Sequence, residues 1–393
     1  MISKKIFTSL NHSSWIRNMF EEGERLRKLY GADNVYDFTL GNPDPEPPKE
    51  VKNSLRDIIL SDQPGIHKYM NNAGFEDVRE KIAQNISQNT NLSVKSSHII
   101  MTCGAAGGLN VALKTILDEG DEVIVLAPYF SEYLFYIDNH GGVPVIASTN
   151  KDTFEPDLTA LENCLNPKVK AIILNSPNNP TGVIYSDKIL KAMAKLIEQK
   201  EMEYGHVIFV LSDEPYNKLV YDNIKIPSIL NIFKHSMIIN SFSKSLALPG
   251  ERIGYIAVNP VLPQNDLIIS GLTFANRTLG FVNAPALFQK VIASSLDAET
   301  DISQYKKKRD VLFDFLTGLG FDCIKPRGAF YLFPKSPIPD DIEFIKAAAK
   351  HNVLLVPGTG FGQPGYFRMS YCVSIDTIKN SLPAIEAIAR EFF

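Results

Sequence analysis

Lys244 stands in Ser241-Phe-Ser243-Lys244-Ser-Leu-Ala-Leu-Pro-Gly-Glu-Arg252, directly after an apolar run at residues 236–240. An amine at a strand end, between two serines and eight positions before an arginine, lies among groups that suit a phosphate. That setting suggests a Schiff-base lysine holding a phosphorylated carbonyl cofactor. Three further loops carry unusual polar content after apolar runs. Thr102-Cys-Gly104-Ala105-Ala106-Gly107-Gly108 opens a helical pattern, and its small residues let backbone N–H groups approach an anion at a helix N-terminus. Ser176-Pro-Asn178-Asn179-Pro180-Thr181-Gly182 offers an amide that can donate to a ring phenolate. Ser212-Asp213-Glu214-Pro215-Tyr216 places an acid where burial costs free energy unless a cation or donors pair with it, and a protonated pyridine nitrogen is such a cation. Each loop also has a plainer reading: a tight strand–helix turn, an Asx/Pro turn, a helix N-cap and a surface lysine near a turn.

These loops gain meaning from the elements that hold them. Short β-branched runs at residues 98–101, 122–126, 143–147, 171–175, 207–211, 237–240 and 253–258 read as buried strands of a largely parallel sheet. Helix-like spacing at 107–117, 131–139 and 186–200 alternates with them, which is the α/β signature. In an open α/β sheet ligands bind beyond the carboxyl ends of the strands, where all four loops fall. After about residue 295 the pattern changes. An amphipathic helix at 300–319 precedes a Gly/Pro-marked strand pair at 328–333, a helix at 341–350, a strand at 353–356, a loop at 357–365, a strand at 367–371 and a final helix, which together suggest a separate α+β domain. The Pro-rich residues 42–48 read as a linker from an N-terminal arm into the larger domain.

Composition narrows the class. A chain of 393 residues favours two or three domains, and 45% hydrophobic with 21% charged residues is ordinary for a globular protein. A net charge of −4 gives no reason to expect nucleic acid, and the short basic run Lys306-Lys-Lys-Arg309 reads as a solvated helix face. Cys103, Cys164, Cys323 and Cys372 are scattered and suit unpaired thiols in a reducing, cytoplasmic setting. The histidines are scattered too, so no metal is expected. No run approaches a membrane span and no signal peptide is evident. A nicotinamide cofactor is disfavoured: no G-x-G-x-x-G occurs, and Gly358-Thr-Gly360-Phe-Gly362-Gln363 departs from it at Gln363 and precedes a strand.

Taken in order and spacing, Asn179-Pro-Thr-Gly182, Asp213-x-x-Tyr216, Ser241-x-Ser243-Lys244 with Arg252, and Arg368 resemble the motifs of the class I/II aminotransferases, pyridoxal 5′-phosphate (PLP) enzymes of the aspartate aminotransferase superfamily. The resemblance runs over essentially the whole chain. It implies fold type I: a large domain, residues 47–290, with a mostly parallel seven-stranded sheet, and a small α+β domain joining residues 1–46 to 291–393.

The resemblance also implies roles. Lys244 would bind the cofactor aldehyde and carry a proton, which requires a neutral amine although a free lysine has a pKa of ~10.4. Asp213 would keep the pyridine nitrogen protonated, Tyr216 and Asn179 would bond the ring's phenolic oxygen, and Phe130 would stack on the ring. Gly104, Ala105, Ala106, Ser241, Ser243 and Arg252 would hold the phosphate, joined by Tyr69 from the other subunit of a homodimer. Here the cradle has alanines where many relatives carry a hydroxyl, so only backbone donation is available at that point. Arg368 and the Gly41 backbone would grip the substrate α-carboxylate, since an arginine fork matches a carboxylate. Residues 13–17 are a candidate lid. The expected reaction is ping-pong transfer of an amino group from an L-amino acid to a 2-oxo acid. A β-C–S lyase shares Lys244, Asp213 and Arg368 and is the nearest rival. A PLP-binding regulatory protein is more remote, as no segment is left over for a DNA-binding extension.

Arg277, in the segment before Asn283-Ala-Pro285, is a candidate ligand for an acidic substrate side chain. If it has that role, Arg277→Leu lowers kcat/KM for dicarboxylic amino acids far more than for aromatic ones. Equal losses in a substrate panel reject it.

Overall fold

The computed structural model describes residues 2–12, 15–61 and 64–393. Its centre is a seven-stranded sheet. Across the sheet the strands run Ile99–Thr102, Gly254–Val258, Ser236–Ser241, Phe209–Asp213, Val169–Asn175, Glu122–Ala127 and Val143–Ser148. Gly254–Val258 is antiparallel to both neighbours and the remaining pairs are parallel. The central strands are buried along nearly their whole length, because helices cover both faces. Successive residues sort to opposite sides: Ile173, Leu211 and Ile239 pack with the helix Gly104–Ile116, whereas Ile172, Leu174 and Val210 pack with Leu190 and Met193 of the helix Asp187–Tyr204. The outer strand Val143–Ser148 is the exception. It carries Pro144 and exposes Val143 and Ile146, as an edge strand tolerates.

Local signals explain several boundaries. Ser186 caps the helix Asp187–Tyr204 by accepting from the Ile189 N–H, and Gly205 ends it in a left-handed conformation. Asp301 caps Ile302–Gly318 through the Ser303 N–H at 3.0 Å, so the helix expected at 300–319 forms almost as read. Other helices carried no clear signal: Lys49–Leu60, Glu76–Asn89, Asn265–Thr278 and Ala286–Ala293 were not anticipated. Among the described residues no helix is long and apolar enough to cross a membrane.

Three expectations need correction. The strand pair at 328–333 is one short strand, Tyr331–Leu332, and its partner is distant: it pairs antiparallel with Phe367–Ser370. The run at 353–356 divides, with Val353–Leu354 pairing parallel to Tyr36–Asp37 of the arm and Val356–Pro357 pairing with Phe367–Ser370. A single apolar run thus serves two sheets, which local periodicity does not reveal. The basic run is a solvated face only at Lys306 and Lys307. Lys308 and Arg309 are buried, Lys308 bonded to Asp44 at 2.5 Å and Arg309 to Asp222 at 2.8 Å and the Pro326 carbonyl at 2.9 Å. The lid expected at 13–17 falls partly on Ser13 and Ser14, which lie outside the described residues.

Phe38 of the arm shares a core with Tyr305, Phe330, Phe344 and Phe367. That packing supports the division we propose, an arm (1–46) and C-terminal part (291–393) forming one unit beside the sheet domain (47–290).

Glycine is required where the sheet meets the first loop. A Cβ on Gly254 would lie 2.4 Å from the Asn240 carbonyl oxygen and 3.0 Å from the Gly104 backbone, neither of which can swing aside. Gly254→Ala is expected to lower stability by about 1–3 kcal/mol, measured as a fall in the urea midpoint at unchanged slope.

Candidate active site

The four loops meet in one cavity of about 300 Å³ at the carboxyl ends of the parallel strands. Gly41, Ala105, Ala106, Phe130, Asn179, Asp213, Tyr216, Ser241, Ser243, Lys244, Arg252 and Arg368 all line it. Gly104 stands just behind, touching Arg252.

Asp213 closes a strand buried from Phe209 onward, and the backbone delivers its carboxylate into the cavity floor. Oδ2 accepts from the Tyr133 hydroxyl at 2.5 Å. Oδ1 is buried and has no hydrogen-bond partner among the described residues. Burial pushes this carboxyl up to about 7, with the Tyr133 hydrogen bond opposing. A buried acceptor left unpaired costs about 1–3 kcal/mol, so the position is built for a donor that arrives with a ligand.

Lys244 emerges from the strand Ser236–Ser241 through the short helix Phe242–Ser245. Its Nζ donates to the Gly41 carbonyl at 2.6 Å. Burial lowers its pKa to about 8; Cys372 opposes the shift, and the nearby Arg252 and Arg368 add to it. A neutral, nucleophilic amine is therefore accessible near neutral pH.

Arg368 comes from the strand Phe367–Ser370, outside the seven-stranded sheet. Its guanidinium is buried over the rings of Tyr331 and Phe361, 4.7 and 4.8 Å from their centroids. Nη1 donates to Asn179 Oδ1 at 3.0 Å and Nη2 to the Thr39 carbonyl, while Nε has no partner among the described residues. Burial lowers its pKa, with the nearby phenols of Tyr331 and Tyr216 opposing. Among the described residues no carboxylate pairs with it, so a desolvated cation faces the cavity without an anion.

At the opposite end lie the groups suited to a phosphate. The helix Gly104–Ile116 begins with no side-chain cap, which leaves its first N–H groups free for an anion. Gly104 has φ +72°, and a Cβ there would lie 2.8 Å from Arg252 Nη2, so a side chain would displace the guanidinium. Arg252 itself adopts φ 52° and is steadied by the Pro249 carbonyl at 2.9 Å. The Ser241 and Ser243 hydroxyls complete that end.

Several lining residues were not anticipated. Asn175 joins two of the loops: its Oδ1 accepts from the Asn179 N–H at 2.7 Å and its Nδ2 donates to the Asp213 carbonyl at 2.9 Å. As a polar end to an apolar run it was legible. Tyr133, in the first turn of the helix Glu132–Asn139, lies edge-on to Phe130 at 5.5 Å. Tyr331 carried no local signal; its hydroxyl lies 2.9 Å from that of Tyr216. Tyr69 and Arg277 do not reach the cavity within this chain. Tyr69 is 92% exposed beside Phe281 and Asn283, and Arg277 is exposed in the last turn of Asn265–Thr278, 5.2 Å from the Phe274 ring centroid.

Residues 33–385 match the family pattern of aminotransferase class I and II. The chain belongs to the class I and II aminotransferases. Among curated relatives, a probable aspartate/prephenate aminotransferase of Thermus aquaticus is 33% identical over 358 residues, 90% of each chain. An aspartate aminotransferase of Thermotoga maritima is 32% identical over 90% of this chain and 91% of its own. Solved structures agree. An aminotransferase of Eubacterium rectale superposes with TM-score 0.96 at 37% identity, covering 100% of this chain and 99% of its own. The Thermus thermophilus aspartate aminotransferase with maleate does so with TM-score 0.85 at 28% identity, covering 96% and 97%. The fold-type-I architecture and the PLP-dependent aminotransferase class read from the sequence both stand.

The two shifted groups give the cofactor-free protein a pH signature. Asp213 titrates near 7 in the folded chain and at its usual 3.8 in the unfolded one, so stability from this group is lost as pH rises between those values. Lys244 runs the other way. Folded at about 8 and unfolded at 10.5, it costs stability below 8 and recovers it as pH rises through that window. Asp213→Asn should therefore raise the melting temperature of the cofactor-free protein at pH 8, by roughly 1–3 kcal/mol in stability terms, and give no gain at pH 4. It should also weaken PLP retention on gel filtration.

Proposed function

We propose that the cavity holds PLP with its ring nitrogen on Asp213, its phosphate at Arg252 and its aldehyde within reach of Lys244. The observation that carries this reading is Asp213 Oδ1, a buried acceptor without a donor at the floor of a cavity that also contains a near-neutral lysine. A protonated pyridine nitrogen supplies that missing donor. When bound, PLP contributes an aldehyde that captures amines and a ring that accepts negative charge from the substrate Cα.

The chain's own residues do the rest. Asp213 holds the proton on the ring nitrogen, and the Tyr133 hydroxyl keeps its carboxylate oriented. Asn179 and Tyr216 donate to the phenolic oxygen, and Phe130 covers one ring face. Ser241, Ser243, Arg252 and the N–H groups of Ala105 and Ala106 bind the phosphate, with Tyr69 of a second subunit reaching it in a homodimer. Arg368 takes the α-carboxylate through its open Nε edge, beside the Gly41 backbone. With the group bound, Lys244 would be the base that takes the substrate Cα proton and returns it on the product side. An L-amino acid thereby leaves as a 2-oxo acid, its amino group stays on the enzyme, and a second 2-oxo acid collects it. Four cysteines without disulfide partners suit a cytoplasmic setting. The printed names of the relatives make aspartate and prephenate the first pair to assay.

The test is a half-reaction. Holoenzyme mixed with an amino acid and no acceptor should show one absorbance change per site and release one equivalent of 2-oxo acid. Continuous release of pyruvate and ammonia from a cysteine derivative instead would establish the C–S lyase. Lys244→Ala should lower the rate of the half-reaction by at least about 10⁴-fold.

A further inference from the structure

We infer that Tyr331 is a positioning residue that acts through Tyr216, donating to the Tyr216 hydroxyl so that Tyr216 is held as a donor toward the cofactor's phenolic oxygen. The inference rests on the proposed placement of PLP. Its basis is geometric. The two hydroxyls lie 2.9 Å apart with their rings at 82°, and both residues are buried in the cavity wall. A phenol has one proton to give. If Tyr216 spends its proton on the ring oxygen, the short contact between the two phenols requires Tyr331 to be the donor. A hydroxyl that accepts while it donates is polarised and donates more strongly.

Tyr331 is also fixed from two other sides, so its direction is not free. Its ring lies against the Arg368 guanidinium at 4.7 Å. Its hydroxyl lies 2.1 Å from where a Cβ on Gly41 would stand, which explains why that position in the arm is glycine. One side chain therefore touches the residue proposed for the ring oxygen, the residue proposed for the α-carboxylate, and the segment whose carbonyl receives Lys244. The titratable or charged groups facing the two phenols are Asp213, Arg368 and Cys372.

The sign follows from the chemistry. Stronger donation to the phenolic oxygen stabilises its anion and disfavours the protonated form of the lysine-bound cofactor. Tyr331→Phe removes the hydroxyl and keeps the ring on Arg368. It should raise the pH midpoint of the bound cofactor's absorbance change by about half a unit, as expected for one hydrogen bond of ordinary net strength. KM for the amino acid should move less than twofold. Tyr216→Phe should raise the midpoint further, and the double variant should match Tyr216→Phe alone. An unchanged midpoint in Tyr331→Phe, with Tyr216→Phe shifted, overturns the relay. So does a Tyr331→Phe shift that persists in the Tyr216→Phe background. No shift in Tyr216→Phe itself removes the ring-oxygen assignment of Tyr216, and this inference with it. Thermal unfolding of each cofactor-free variant confirms that it is folded, and Tyr331→Leu, which also removes the ring from Arg368, should add a rise in KM that the Phe variant lacks.

Discussion

Two buried charged groups whose hydrogen bonds the described residues leave incomplete set the terms for the rest of the structure. Asp213 Oδ1 lacks a donor, and the Arg368 guanidinium lacks an anion and leaves Nε open. Both cost stability on their own, since buried charge is stable only when paired. A folded protein tolerates them only where surrounding elements over-determine their positions. The sheet supplies one, delivering Asp213 at the end of a strand flanked by two parallel neighbours. The second unit supplies the other, from a strand paired on both sides. The stability given up there is returned by whatever binds, so affinity for cofactor and substrate is the other face of the apo protein's weakness.

The arm ties the two units together at the reacting groups. The Phe38 carbonyl accepts from the Ser370 N–H at 2.8 Å, the Thr39 carbonyl accepts from Arg368, and the Gly41 carbonyl accepts from Lys244. Three carbonyls within four residues thus contact the strand Phe367–Ser370, the Arg368 guanidinium and Lys244. Below them, Asn175 links the Asn179 loop to the Asp213 strand. Lys244 and Arg368 are therefore held in part by backbone carbonyls of the arm, and Asp213 and Arg368 by the side chains of Tyr133 and Asn179. That is the preorganisation a site needs if its electrostatics are to act without rearranging at each step.

How much of this was legible depends on whether the deciding contact was local. Lys244 and Asp213 were visible because each ends an apolar run, and a charged residue at that point calls for a reason. The seven strands were visible because a sheet covered on both faces needs continuous β-branched runs. The split of the run at 353–356 was not, because its pairing to Tyr36–Asp37 spans most of the chain. Lys308 and Arg309 looked solvated because their anions, Asp44 and Asp222, come from distant segments. Tyr331 was invisible for the same reason: nothing around it in sequence distinguishes a core tyrosine from one aimed at Tyr216. Arg368 became a candidate only through resemblance, since no local pattern marks an arginine that a tertiary contact leaves unpaired.

The distribution of charge also separates reaction from specificity. Among the described residues three cations line the cavity, Lys244, Arg252 and Arg368, and the proposed function assigns each of them: amine, phosphate and α-carboxylate. A second carboxylate on a substrate would find aromatic and neutral surface from Tyr136, Tyr331, Leu40 and Thr39. Its counter-charge has to come from outside the lining, and Arg277 lies too far out on its own chain to serve its own cavity. Arg277 is exposed on a helix end, its guanidinium 5.2 Å from the Phe274 ring centroid. Within one chain the lining thus offers positive charge at three points and an aromatic, neutral wall between them.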